Sequence, residues 1–211
     1  MRALPVGADA LLIEVGSAEE AGALHAALLR RRAQGTLTVR EIVPAARTVL
    51  LDGLPDPTRW AAELEALEGE LPEPPARSLV EVPVRYDGPD LSVVAAHWRV
   101  SEQEVARIHA GTEFTVAFCG FAPGFGYLTG LPARYAVPRR ATPRTAVPPG
   151  AVALAGPYTG VYPRTSPGGW QLIGATDAVL WDHTREPAAL LSPGTRVRFV
   201  PVEGTAPVEV P

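Results

Sequence analysis

The sequence predicts an α+β protein of two domains, and two observations carry that reading. The first 85 residues alternate apolar runs of strand length with amphipathic stretches of helix length, in the order strand, helix, strand, strand, helix, strand. Beyond residue 111, Pro and Gly recur every few residues between short apolar runs, which is the texture of an all-β barrel or sandwich. A small α/β domain of ferredoxin-like type over 1–85, followed by a β-domain over 86–211, is therefore expected. At 211 residues the chain is long enough for each part to bury a core.

Residues 10–14 form a short apolar strand, and Ser17 and Glu20 then have the spacing of a capping box, so a helix starts there. Ala21, Leu24 and Leu28 share one face of it, Arg30, Arg31 and Arg32 suit its negative end, and Gly35 supplies the stop. Strands follow at 38–43 and 48–51. Asp56-Pro57 announces a second helix with Trp60, Leu64 and Leu67 on one stripe, ending near Gly69, before a proline-rich connection over 71–77. A strand at 78–86 closes the first domain near Arg85, with Val80, Val82 and Val84 on one face. Two short helices span 90–96 and 101–110, the second opened by a capping box of Ser101 and Glu104. Short strands are then expected at 116–119, 152–155, 171–173, 179–181 and 197–202.

Composition removes several chemistries. All 19 basic residues are Arg, and there is neither Lys nor Asn. This chain can form no Schiff base, supplies no Walker-type Lys, carries no biotin or lipoate, and offers no N-glycosylation site. One cysteine, Cys119, excludes an internal disulfide and a Cys-built zinc site, which suits a reducing cytoplasm. The N-terminus has no charged leader before an apolar run, and no window approaches a membrane span. A net charge of −4 argues against broad binding to nucleic acid or anionic lipid.

Several features read most simply as structure. Residues 91–108 have a helix-turn-helix outline, but a first turn of Glu102-Gln103-Glu104 would repel phosphates, so the two helices are assigned to packing. His25, His97, His109 and His183 have no helical zinc spacing, and no metal site is expected. His109 at a helix C-terminus is read as a favourable dipole interaction. Cys119 follows Val116-Ala117-Phe118 with no neighbouring base, so it is read as a buried structural thiol.

Four loops differ in kind. Gly120-Phe121-Ala122-Pro123-Gly124-Phe125-Gly126-Tyr127-Leu128 combines close backbone approach with flat apolar walls. Pro138-Arg139-Arg140-Ala141-Thr142-Pro143-Arg144-Thr145 sets three guanidiniums on a stiffened backbone, a pattern suited to carboxylate or phosphate. Gly156-Pro157-Tyr158-Thr159-Gly160-Val161-Tyr162-Pro163 and Ser166-Pro167-Gly168-Gly169-Trp170-Gln171-Leu172-Ile173-Gly174 repeat the theme of glycine, ring and polar group. Turns need Gly and Pro, but they do not need Arg and Trp beside them.

On these segments, and on Arg185-Glu186-Pro187 and Pro193-Gly194-Thr195-Arg196-Val197-Arg198-Phe199, the sequence resembles the family of 5-oxoprolinase B subunits, also called KipI or allophanate hydrolase subunit 1. It departs from the family pattern at Gly126, where Pro is usual, and at Tyr158, where Gln is usual. The resemblance implies a cyclophilin-like β-barrel after the α/β domain. It also implies one member, inactive alone, of an ATP-hydrolysing enzyme that cleaves 5-oxo-L-proline to L-glutamate together with A and C subunits. ATP is then bound by the complex, and this chain carries no covalent cofactor. Two alternatives come with the same family: half of a biotin-dependent urea- or allophanate-type carboxyltransferase, and a KipI-like inhibitor of a sensor histidine kinase. Phosphorylating a lactam oxygen makes a leaving group and needs cationic donors, for which Arg139, Arg140 and Arg144 are the catalytic candidates. Gly124, Phe125, Tyr127, Thr142, Thr159, Tyr162, Gly168, Gly169, Trp170 and Gln171 are the substrate-binding candidates.

Overall fold

The computed structural model describes residues 1–65 and 79–203. Two compact units divide the chain, 1–76 and 77–211. The first holds β1 (Arg2–Val6), β2 (Ala10–Glu14), α1 (Ala18–Ala33), β3 (Glu41–Pro44), β4 (Thr48–Asp52) and α2 (Pro57–Glu65). Its strands form one antiparallel sheet in the order β1-β2-β4-β3. Both helices start where local chemistry places them. The Glu20 N–H donates to Ser17 Oγ at 3.2 Å, and the Arg59 N–H to Asp56 Oδ1 at 3.0 Å. The Glu20 carboxylate reaches back to the Gly16 N–H at 2.8 Å, one residue before the expected partner. Leu24 and Leu28 of α1 and Leu64 of α2 bury against Leu11, Ile13, Val49 and Leu51, each side chain contributing about 2 kcal/mol. Leu67, Gly69 and the connection 71–77 lie outside the described residues.

The strand expected to close this unit belongs elsewhere. β5 (Leu79–Val84) pairs in parallel with β13 (Arg196–Pro201), and Val82 and Val84 are buried in the core of the second unit. The boundary expected after Arg85 thus falls before β5. A strand with one apolar face fits either sheet, and periodicity does not choose between them. The edge beside β2 is taken by β1, which the sequence reading missed and which returns through a tight hairpin with Gly7 at φ 64°. The ferredoxin-like layer as expected is therefore corrected: the fourth strand is N-terminal, not C-terminal.

In the second unit, α3 (Leu91–Trp98) and α4 (Glu102–Ala110) precede β6 (Glu113–Cys119), β7 (Gly126–Thr129), β8 (Arg144–Val147), β9 (Ala151–Ala155), β10 (Tyr158–Val161), β11 (Ser166–Gly168), β12 (Gln171–Ala175) and β13. Seven strands run in the order β12-β9-β10-β7-β6-β13-β5, and β8 and β11 form a small separate pair. The two ends of the large sheet meet at one bridge, where the Arg85 and Ala175 N–H groups each donate to the other's carbonyl at 2.9 Å. The sheet is thus a nearly closed barrel. Gly174 is required at this seam, because a Cβ there would stand 2.2 Å from the Arg85 carbonyl oxygen.

One face of this sheet, here called inner, carries Val116, Leu128, Leu154, Val161, Val197 and Phe199, and α3 and α4 add Val94, Trp98 and Val105 to the same core. The alternate residues, on the outer face, include Ala153, Ala155 and Leu172 in a second cluster with Phe125, Tyr162 and Trp170. The expected strand at 179–181 is a single bridge from Trp181 to Ala189, because Val179 and Trp181 are exposed and Asp177 and Asp182 bracket so short a run. No described helix is long and apolar enough to cross a membrane.

Candidate functional site

The outer face of the barrel sheet holds a cluster of rings. Phe118 and Tyr127, opposite each other on β6 and β7, stack with centroids 4.3 Å apart, and Tyr158 of β10 meets both edge-on at 5.6 and 5.7 Å. Phe125 lies edge-on to Tyr127, Tyr162 and Trp170 at 5.0, 5.3 and 5.4 Å. These are the edge-to-face and stacked geometries that ring quadrupoles favour. Small residues make room for them. A Cβ on Gly160 would come within 3.1 Å of both Phe125 and Trp170, and one on Gly168 would strike the Tyr162 hydroxyl. Phe125, Tyr162 and Trp170 are buried, Phe118, Tyr127 and Tyr158 half-buried, and Phe121 stands exposed at the rim. Gly124 is buried at φ 84° against Leu180 and Trp181, a loop-shaping position.

The three arginines of the 138–145 loop do not converge on this surface. Arg140 Nη1 donates to Asp90 Oδ1 at 2.8 Å, and Arg144 grips both Asp90 oxygens, Nη1 to Oδ2 at 2.9 Å and Nη2 to Oδ1 at 2.8 Å. The Leu172 N–H adds a fourth bond to Oδ2 at 2.7 Å. The Asp90 side chain is 3% exposed, and burial opposes its charge. Hydrogen bonds from Arg144 and Leu172 and the charges of both guanidiniums outweigh that opposition, holding the carboxyl below its ordinary range. In this structure Arg140 and Arg144 are thus partners of a buried carboxylate. Arg139 is exposed and forms no ion pair among the described residues; its charge acts on the Tyr127 and Tyr162 hydroxyls, and that of Arg144 acts on Tyr162 as well. Burial raises both phenols, and Arg139 opposes the rise. Thr142 is exposed, and its carbonyl lies 3.4 Å from Arg140 Nε.

Two further candidates lie on the opposite face of the sheet. Gln171, Leu154, Thr159 and Leu128 form one row of directly opposed residues across β12, β9, β10 and β7. Leu154 and Leu128 mark that row as inner, so Thr159 and Gln171 are buried on the face opposite the rings. Gln171 Nε2 donates to the Pro138 carbonyl at 3.0 Å. Thr159 ends a buried chain. The Tyr86 hydroxyl lies 2.7 Å from His109 Nδ1, His109 Nε2 lies 2.8 Å from Thr159 Oγ1, and Thr159 Oγ1 donates to the Ala153 carbonyl at 3.4 Å. Since the Thr159 hydroxyl proton is spent on Ala153, His109 Nε2 carries the proton and Nδ1 accepts from Tyr86. Burial depresses His109 from 6.5 to about 3. The imidazole is therefore neutral, and it brings no positive charge to the favourable dipole interaction expected at this helix end.

Gly168 and Gly169 shape the other wall. Gly168 pairs with Arg144 between β11 and β8, and the Gly169 carbonyl accepts from the Arg140 N–H at 2.8 Å. The backbone donor toward the Tyr162 hydroxyl is Trp170 N–H. Asp90 was missed because it stands at the start of a short helix and its partners lie 50 to 82 residues away; its side chain makes no cap bond and turns to the loop instead. Among the described residues no group of His, Cys, Asp and Glu could hold a metal ion.

This architecture, an α/β unit followed by a ring-like sheet, is that of carboxyltransferase-type domains. Residues 1–191 match the family model described as carboxyltransferase domain, subdomain C and D, and the chain belongs to that family. Within it, the chain is similar to the B subunit of 5-oxoprolinase from Escherichia coli O157:H7, 46% identical over 170 residues that cover 79% of this chain and 75% of that protein. The crystal structure of TTHA0988 superposes with a TM-score of 0.76 at 38% identity, covering 95% of this chain, which spans 41% of that longer one. The Kluyveromyces lactis urea carboxylase shares the fold, with a TM-score of 0.66 at 21% identity over 95% of this chain and 22% of its own.

Proposed function

We propose that this chain is the B subunit of an ATP-dependent 5-oxoprolinase, inactive alone, which opens 5-oxo-L-proline to L-glutamate with ATP hydrolysis in a cytoplasmic complex with A and C subunits. The observation that carries the reading is the 46% identity over 170 residues to a protein named for that role. The barrel-like sheet is then the cyclophilin-like domain of such subunits.

The outer-face site suits this substrate class. A small lactam bears one carboxylate and a flat ring with an apolar edge. Arg139 offers the carboxylate a guanidinium without an internal counter-ion among the described residues, and charge-assisted bonds of this kind are about twice as strong as neutral ones. Tyr127, Phe118 and Tyr158 offer ring faces to the lactam, with Phe121 at the rim. In the reaction, ATP phosphorylates the lactam oxygen and so activates the carbonyl carbon. One water adds there, the C–N bond breaks as the amine takes a proton, and a second water releases phosphate from the acyl phosphate to leave glutamate. Arg140 and Arg144 are engaged by Asp90 and not free to hold a triphosphate, and we place ATP on another member of the complex. The role left to this chain is to bind and orient the lactam and to keep water from its apolar edge.

The test is reconstitution. Purified A and C subunits with this chain should release glutamate from 5-oxoproline and ATP, and omission of any one should abolish turnover. Equal turnover with and without this chain would refute the assignment.

A further inference from the structure

Asp90 meets β12 through the backbone of Leu172, and it joins three segments that are distant in sequence. Its carboxylate receives Arg140 and Arg144 from the loop and the Leu172 N–H from β12, and its own N–H donates to the Leu172 carbonyl at 2.9 Å. On either side of Arg139 the backbone is pinned to the same strand region. The Pro138 carbonyl accepts from Gln171 Nε2 at 3.0 Å, and the Arg140 N–H donates to the Gly169 carbonyl at 2.8 Å. Arg139 therefore springs from a segment fixed at the residue before it and the residue after it. Its neighbours' charges are also cancelled in part: two guanidiniums face one carboxylate, which leaves Arg139 as the cation of the loop directed to solvent.

We infer that Asp90 is a positioning residue for substrate binding, which fixes the 138–144 loop so that Arg139, rather than Arg140 or Arg144, is presented to solvent for the substrate. The inference rests on the proposed function for the identity of the substrate, though not for the clamp itself. Losing the Asp90 charge would release Arg140 and Arg144, loosen the backbone beside Arg139, and set three mobile cations where one ordered cation stood. A buried pair broken on one side usually costs stability, so the perturbation must be read by more than activity.

Two measurements on the same proteins decide the matter. Phenylglyoxal modifies guanidiniums, and a chain without Lys gives a clean map of modified sites by mass spectrometry. In the wild-type chain Arg139 should label at least 10-fold faster than Arg144. In Asp90→Asn the Arg140 and Arg144 rates should rise about 10-fold, toward that of Arg139. In the reconstituted complex, Asp90→Asn should raise KM for 5-oxoproline about 10-fold with kcat within about 2-fold, whereas a purely structural role would lower kcat through loss of active protein and leave KM alone. If Asp90→Asn does not fold, the double variant Asp90→Asn/Arg144→Gln removes both buried charges, and Arg140 labelling and KM are read there. Unchanged Arg140 and Arg144 labelling overturns the clamp, and changed labelling with unchanged KM overturns the positioning role. A wild-type complex without turnover refutes the proposed function instead, and labelling then decides the clamp alone.

Discussion

Lowering the pH from 7 to 5 should destabilise the second unit through His109, and the size of the effect follows from where that ring sits. The imidazole is fully buried, hydrogen-bonded at both nitrogens to Tyr86 and Thr159, and packed against Phe114 and Phe199 at 4.9 and 4.6 Å. No carboxylate joins that contact set, so a proton added in the fold has no compensating charge. Burial depresses the folded pKa from 6.5 to about 3. Stability from this group is therefore complete above pH 6.5 and is lost as pH falls toward 3, since the unfolded chain takes the proton that the fold refuses. The slope is ~1.4 kcal/mol per pH unit inside that window, or ~2 kcal/mol between pH 6.5 and pH 5. The assay is urea unfolding by tryptophan fluorescence at both pH values, three of the four tryptophans, Trp98, Trp170 and Trp181, lying in this unit. His109→Gln is the control. It retains a donor and an acceptor but cannot titrate, while His25, His97 and His183 remain in both proteins and cancel. The Asp90 clamp weakens in the same direction but only below the ordinary carboxylate range, outside the window. Equal losses of stability in wild type and variant between pH 7 and pH 5 would refute the reasoning.

Three further outcomes are expected. Arg139→Gln should raise KM for 5-oxoproline by ~10²-fold in the complex, the loss of one charge-assisted contact, and leave the melting temperature within about a degree because the side chain is exposed. An unchanged KM removes Arg139 from the site. Gly174→Ala should cost at least ~3 kcal/mol in urea unfolding, since its methyl carbon would lie 2.2 Å from the Arg85 carbonyl oxygen at the barrel seam, and a cost below ~1 kcal/mol would contradict that contact. Burial pushes the Cys119 thiol up to about 11, and its Sγ lies 3.4 Å from the Leu191 carbonyl, so at pH 7.5 an aromatic disulfide reagent should react ~10²-fold more slowly than with an exposed cysteine. Reaction at the exposed rate would show the thiol accessible.

Local signals were legible in the sequence and long-range ones were not. Ser17, Asp56 and Ser101 each announced a helix because a cap is settled within three residues, and all three side chains accept the expected N–H. The ring-and-glycine loops were legible too, because Gly160 and Gly168 are needed where rings come close. Sheet membership was not. β5 has the alternation of a half-buried strand in either unit, and its partner β13 lies more than 100 residues further along the chain. The same distance problem misled the reading of the arginines. Three guanidiniums in one loop suggest an anion from outside, whereas the anion that meets two of them is Asp90, 50 and 54 residues away. Thr159 and Gln171 stand apart from the rings for another reason. In a strand the face decides the role, and Tyr158 and Thr159 differ by one residue and by one side of the sheet.

A site built on the outside of a ring-like sheet is a floor without a ceiling. Phe118, Tyr127 and Tyr158 are half-buried, Phe121 and Arg139 face solvent, and the small β8–β11 pair covers only the side where Tyr162 and Trp170 are buried. Binding a small polar molecule tightly requires walls that remove water from most of its surface. Since the described residues give half of that enclosure, the proposed complex would make substrate choice a property of two surfaces meeting, and changes on the opposing surface would retune selectivity while this floor stays as it is.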